Sequence, residues 1–165
     1  MAGWGADANY TRLIGEHGGA LLHLAILLTG NRHDAEDIVQ DAVISVASSW
    51  QKTRPRAVYA YLKRAVSNRA IDYLRARKEI PSESILETAV EDYGFLAYDD
   101  DRRFFAIVNT LPDRQRATLI LRYHADFDDR TIAATLGCSV ETVRSQVHHA
   151  INKLRAHENA VGWRS

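Results

Sequence analysis

The sequence holds one cysteine, one methionine and three prolines in 165 residues. A lone cysteine excludes an internal disulfide and any cysteine-rich zinc site. No apolar run can span a membrane, since the longest, around Leu21 to Leu28, is interrupted by His23. The first residues lack a basic start leading into an apolar run and cleavage site, so the expected location is the cytoplasm. Alternating strand patterns and Asn-Gly hairpin signals are also missing. So are a nucleophile constellation and a phosphate-binding glycine loop. These absences predict an all-α protein that uses no cofactor and is not an enzyme.

Net charge is missing too, but only in the total. Residues 1–52 carry 3 basic against 6 acidic groups, and residues 53–80 carry 8 against 2. Residues 81–101 carry 7 acidic groups and no basic one, and residues 102–165 carry 10 basic against 6 acidic. Two basic segments divided by an acidic one remain compatible with nucleic-acid binding, because the distribution of charge sets the local field.

The clearest pattern lies between Asp128 and Arg155. Asp128 can cap a helix over Asp129 to Leu136, whose Ile132, Ala133 and Leu136 share one face. Gly137 suits the positive φ at which many helices stop, Cys138 follows as a small apolar plug, and Ser139 can cap the next helix. Val143, Val147, Ile151 and Leu154 then recur at helical spacing, leaving Glu141, Thr142, Arg144, Ser145, His148, Asn152 and Lys153 outward. Helix, glycine turn and polar-faced helix is the pattern of a helix-turn-helix, whose second helix lies in the major groove. A purely structural helix pair is the competing reading.

Upstream, residues 8–29 read as a helix with Tyr10, Leu13, Ile14, His17, Leu21, Leu24, Ala25 and Leu28 on its apolar side. Gly18 and Gly19 weaken its middle, at about 1 kcal/mol each relative to alanine. A second helix opens at His33 or Asp34 and buries Ala35, Ile38, Val39, Ala42, Val43, Val46 and Ala47. Carboxylates near its start suit the positive helix end. Asp34, Asp37 and Asp41 share a face; a di-metal site would need Glu-x-x-His pairs from separate helices, and the sequence has none. A polar, basic loop is expected over Gln51 to Ala57, then a helix from Val58 with Tyr61, Leu62, Ala65, Ile71, Tyr73 and Leu74 apolar. Tyr59, Tyr61 and Tyr73 interleave with basic residues there. Such a surface holds single-stranded nucleic acid, but a solvated basic helix with core tyrosines has the same pattern. Residues 80–101 read as an acidic linker with a short helix around Glu83 to Val90. Helices are expected over Arg102 to Thr110 and, beyond the break at Pro112, over Asp113 to Tyr123.

Two segments together resemble the short extracytoplasmic-function sigma factors of bacterial RNA polymerase. LLTGNRHDAEDIVQDAVISVASSW resembles that group's "TGD…AEDLVQ" helix, and AYLKRAVSNRAIDYLRARK resembles its "AWL…ARNLAIDxxRR" helix. TLPDRQRATLILRYHADFDDRTIAATLGCSVETVRSQVHHAINKLR is similar to "LPxRQRxVLxLRYxxDLSxxEIAxxLGCSxGTVKSxxxRAxxxLR". LLTGN…AEDIVQ…SSW with GCS-x-x-TV-x-SQ is most similar to the actinobacterial SigE type. The resemblance implies a domain over residues 8–79 that binds core RNA polymerase and the −10 element, and a helix-turn-helix domain over residues 102–156 that reads the −35 element.

The resemblance also implies residue roles. Asp34, Glu36, Asp37, Gln40 and Asp41 would lie near the polymerase. Lys52, Arg54, Arg56, Asn68, Arg69, Asp72, Arg75 and Arg77 would bind the melted −10 strand, Asp72 having a structural partner role as its alternative. Glu141, Thr142, Arg144, Ser145, Gln146, His148, His149 and Lys153 would face the −35 duplex. Within that helix Arg144 is suited to guanine by two hydrogen bonds, and Lys153 to phosphate. Glu141 stands where the family commonly has glycine and His149 where arginine is usual, and both weaken the positive face. Tyr61 replaces a usual tryptophan and is expected in the core. The implied partners are core RNA polymerase, promoter DNA and an anti-sigma factor, with no membrane, and the protein would be nucleoid-associated when bound to polymerase. A stand-alone helix-turn-helix regulator is the alternative; it would have no need of the acidic and basic-aromatic helices between Asp34 and Lys78.

Overall fold

The computed structural model describes residues 8–53, 57–78 and 106–161, and every regular element among them is a helix. The chain divides into two compact units, Met1–Pro81 and Ser82–Ser165. The expected helix around Glu83 to Val90, the rest of the acidic linker, and residues 102–105 of the helix expected before Pro112 lie outside the described residues.

The first unit is three helices, Ala8–Thr29 (α1), Arg32–Thr53 (α2) and Val58–Lys78 (α3), each packed on the other two. The end of α1 is buried all round, from Leu24 through Thr29, which makes it the centre of the unit. Ala35, Ile38, Ala42 and Val46 of α2 and Val58, Leu62, Val66, Ala70 and Ile71 of α3 close on it. Near the other end of α1, Tyr10 is buried and its hydroxyl donates to the Val43 carbonyl at 2.6 Å, which satisfies the one polar atom of that ring.

Gly30 stops α1 at φ 71°, and its N–H bonds the Ile26 carbonyl at 2.8 Å. The next residue starts α2. Asn31 Oδ1 accepts the Asp34 N–H at 3.0 Å, so the helix begins at Arg32 rather than at His33 or Asp34. Asparagine offers the side-chain oxygen that a helix start needs, and histidine does not have one. Three further expectations are corrected. Helix α2 continues through Thr53, shortening the loop expected from Gln51. Ala47 is exposed, since the α2 stripe faces inward through Val46 alone at that level. Tyr61 is 43% exposed and not a core residue; Leu62, Val66 and Ala70 fill that side of α3.

The second unit begins with helical residues 106–108, breaks at Pro112, and resumes with Asp113–Leu119 (α4). Ala117 through Leu121 are five consecutive buried residues, so this segment is surrounded by the rest of the unit. Here the continuous helix expected to Tyr123 departs from α geometry. Ile120–His124 form a single π-helical turn, closed by the Ala125 N–H on the Ile120 carbonyl at 3.0 Å. Asp126 at φ 58° then reverses the chain.

Asp129–Leu136 (α5) and Val140–Val161 (α6) follow, with the caps that the sequence predicts. Asp128 Oδ1 accepts the Thr131 N–H at 2.7 Å. Gly137 takes φ 66°, and the Cys138 N–H returns to the Ala133 carbonyl at 3.0 Å, the six-to-one bond of a Schellman stop. Ser139 Oγ accepts the Thr142 N–H at 3.1 Å to start α6. Ile132, Leu136, Val143, Val147 and Ala150 pack between these helices and Leu119 to Leu121. Truncating Leu121 or Ile132 to alanine removes about 2–5 kcal/mol of stability from such a core.

Candidate nucleic-acid interface

Helix α6 carries two distinct sides. Val143 and Ala150 are fully buried and Val147 nearly so, with Ile151 and Leu154 half-buried beyond them. Glu141, Arg144, Ser145, His148, His149 and Lys153 are exposed, and Thr142 and Gln146 are half-exposed. The structure therefore brings the expected −35 residues onto the solvent side of one helix.

They are not equally available. The Thr142 hydroxyl lies 2.9 Å from Ser139 Oγ and belongs to the helix cap. His148 Nε2 lies 3.1 Å from Asn152 Nδ2, and the rings of His148 and His149 meet edge to face at 5.9 Å between centroids. Arg144, although 68% exposed, donates from Nε to Asp129 Oδ2 at 3.2 Å. The other oxygen of that carboxylate accepts from Arg122 Nη1. Sequence reasoning missed Asp129, because a carboxylate in the first turn of a helix is already accounted for by the positive helix end.

In the first unit, the basic surface of α3 is partly committed to internal partners. Asn68 is exposed. Arg69 is half-buried, and its Nε is shielded from solvent without a hydrogen-bond partner. Arg75 Nη1 lies 3.5 Å from Asp72 Oδ1, one turn away, with both side chains more than half exposed. Such a pair is worth at most about 1 kcal/mol and opens readily for a ligand. Arg77 is drawn elsewhere: it donates to the Tyr73 hydroxyl and lies 3.6 Å from Asp34 Oδ2. Lys52 stands near the end of α2, but its side chain, like Arg54 and Arg56, lies outside the described part.

The three tyrosines of α3 also part company. Tyr59 stacks on His17 at 4.1 Å and 17°, with Lys63 Nζ 5.0 Å from its centroid. Tyr73 lies under the Arg77 guanidinium at 5.2 Å, and its hydroxyl donates to Asp34. Burial, and then the Asp34 carboxylate, push its phenol up from 10.0 to about 12. Tyr61 is the member of the set with a broadly exposed ring.

The acidic start of α2 shows the same sorting. Asp34 is held by Tyr73 and Arg77. Glu36 pairs with Arg32 at 3.0 Å, and Asp37 lies 3.9 Å from His33, both across one exposed turn. Gln40 and Asp41 are exposed. Among the described residues no group of three His, Cys, Asp or Glu side chains is arranged to hold a metal ion, and no helix is long and apolar enough to cross a membrane.

Comparison with known proteins agrees with this two-part layout. Residues 13–80 match the family model described as Sigma-70 region 2, and residues 107–156 match Sigma-70, region 4. The chain is 32% identical to the ECF RNA polymerase sigma factor SigE of Mycolicibacterium smegmatis, over 91% of this chain and 62% of that protein. It thus spans less than two thirds of that relative's length. It is also 32% identical to the RNA polymerase sigma-E factor of Streptomyces avermitilis, over 82% of this chain and 77% of that protein. Among solved structures, the sigma factor RpoE of Bartonella quintana, crystallised with the anti-sigma factor NepR, is similar with a TM-score of 0.65 and 25% identity. That match covers 90% of this chain and 95% of the other.

Proposed function

The chain belongs to the extracytoplasmic-function sigma factors of the sigma-70 family, and from that premise we propose that it binds core RNA polymerase and directs it to a specific set of promoters. It acts as a binding factor in the cytoplasm and not as an enzyme, and it is nucleoid-associated while bound to polymerase. The observation that carries this reading is the pairing, in family order, of a region 2 match with a region 4 match.

In this reading residues 8–79 serve polymerase and the −10 element, residues 102–156 serve the −35 element, and the acidic residues 80–101 link them. Glu36, Asp37, Gln40 and Asp41 form the polymerase-facing side of α2, and Asp34 supports them by holding the start of that helix to α3. Lys52, Arg54, Arg56, Asn68, Arg69 and Arg75, with the exposed ring of Tyr61, receive the melted −10 strand. Removing a base from the duplex costs a few kcal/mol, which binding of the extruded base and its phosphates offsets. Asp72 and Arg77 act within the fold through their ion pairs. On α6, Arg144 reads a base edge, Ser145, Gln146, His148 and His149 flank it, and Lys153 contacts phosphate. An anti-sigma factor, of the kind that accompanies the Bartonella quintana neighbour, restrains the protein until it is needed.

The test is transcription in vitro by purified core polymerase with the full chain over a library of promoters. Promoter-specific initiation that depends on the chain is expected. Duplex binding without polymerase binding would leave a stand-alone regulator instead and overturn the proposal.

A further inference from the structure

The Asp129 carboxylate lies between two arginines that come from different parts of the second unit. Arg122, from the π-helical turn, donates to Oδ1, and Arg144, from α6, donates from Nε to Oδ2 at 3.2 Å. Asp129 is 21% exposed at its side chain, Arg122 37% and Arg144 68%, so the carboxylate is the fixed member and Arg144 the protruding one. We propose that Asp129 is a positioning residue for base recognition, holding the Arg144 guanidinium at the angle a guanine requires. This rests on the reading of α6 as the helix that faces the −35 duplex.

The chemistry follows from which nitrogen is used. An unrestrained arginine on a helix surface samples many rotamers and must be ordered as it binds. A bond at Nε orients the plane of the guanidinium and leaves its end-on pair, one N–H from each Nη, unused by that bond. No described residue partners those Nη groups. Two parallel N–H donors match the O6 and N7 acceptors of guanine in the major groove. Arg122 matters for a separate reason. A lone carboxylate at this place would repel phosphate and could accept a hydrogen bond from cytosine. With each oxygen already accepting from an arginine and two guanidiniums around one carboxylate, the group carries a net positive charge, which favours acceptors over further donors. The π-helical turn contributes by bringing Arg122, directly after the buried Leu121, onto the start of α5.

The test uses the full chain with core polymerase on promoters randomised through the −35 element, with base preference read position by position. Arg144→Ala should abolish the preference at one base pair. Asp129→Asn should lower preference at that same base pair by about tenfold, within the range such contacts command. Asp129→Glu should restore most of it, and Asp129→Asn should add nothing in the Arg144→Ala background. Should Asp129→Asn prove unstable, Arg122→Gln should give a smaller loss at the same base pair. An unchanged or sharpened preference in Asp129→Asn, with Arg144→Ala effective, would overturn the proposal alone. A loss spread evenly over all positions would make Asp129 merely structural and equally overturn it. No effect of Arg144→Ala at any position would instead remove the base-reading role of Arg144, and the proposal with it.

Discussion

The Tyr73 hydroxyl donates to the carboxylate of Asp34, 39 residues away, and so fastens the end of α3 to the start of α2. Arg77 completes the group, donating to the same hydroxyl and lying 3.6 Å from Asp34 Oδ2. Asp34→Ala strands both partners, and leaving a partly buried donor unsatisfied costs about 1–3 kcal/mol. Tyr73→Phe should cost about 1 kcal/mol, and the double substitution less than the sum of the two. Urea unfolding followed by circular dichroism measures all three. Unchanged stability in Asp34→Ala together with lost polymerase binding would return Asp34 to the docking surface.

Alkaline pH should loosen the first unit. Burial raises the Tyr10 phenol from 10.0 to about 12, with the Ala47 backbone opposing it, and Tyr73 is raised to the same level. The unfolded chain then loses these protons from about pH 10, while the folded chain keeps them until about pH 12. Stability from this source is complete below pH 10 and is lost as pH rises through that window. Tyr10→Phe should flatten the decline in unfolding free energy over that range. An equally steep decline in the variant would show that Tyr10 does not contribute.

The glycines of α1 should be replaceable, and the glycine of the helix-turn-helix should not. A Cβ added at Gly15, Gly18 or Gly19 meets nothing within 4 Å. Each lies inside a continuous helix, so Gly15→Ala and Gly19→Ala should each add about 0.5–1 kcal/mol. Gly137 is at φ 66°, where a side chain is strained, and Gly137→Ala should subtract about 1–2 kcal/mol. Thermal unfolding midpoints would rank the variants. A stabilised Gly137→Ala would contradict the account of that turn.

Arg75→Ala should impair opening of the −10 element while leaving duplex capture nearly intact. Arg75 is about half exposed, and its 3.5 Å pair with Asp72 is worth at most about 1 kcal/mol. Permanganate reactivity of melted thymines, set against retention of closed complexes, separates the two steps. Equal loss of both would place Arg75 on the duplex.

How far the sequence reached depends on the kind of interaction. The helix-turn-helix caps were legible because Asp128, Gly137 and Ser139 act on backbone only a few residues away. The all-α fold and the inward rows of α1 and α6 were legible from periodicity for the same local reason, whereas of the row expected for α3 only Leu62 and Ile71 are buried. Tyr61 was misplaced because its outward turn depends on Leu62, Val66 and Ala70 filling the space next to it. The π-helical turn at Ile120–His124 was hidden, since an apolar run gives no phase by which to detect one extra residue. The tie from Asp34 to Tyr73 and Arg77, and the sharing of Asp129 by Arg122 and Arg144, join distant segments and have no periodic signature.

The pairing of arginines with carboxylates also bears on how the protein responds to ionic strength. Arg75, Arg77, Arg122 and Arg144 each lie against an aspartate. An arginine so placed has little condensed anion of its own, and a phosphate that meets it must compete with a carboxylate already there. Each phosphate neutralised on duplex DNA ordinarily contributes about −0.9 to the slope of log affinity against log salt. If the chain binds promoter DNA as proposed, that slope should be shallower than its number of basic residues implies, so that rising salt would erode its hold on DNA slowly.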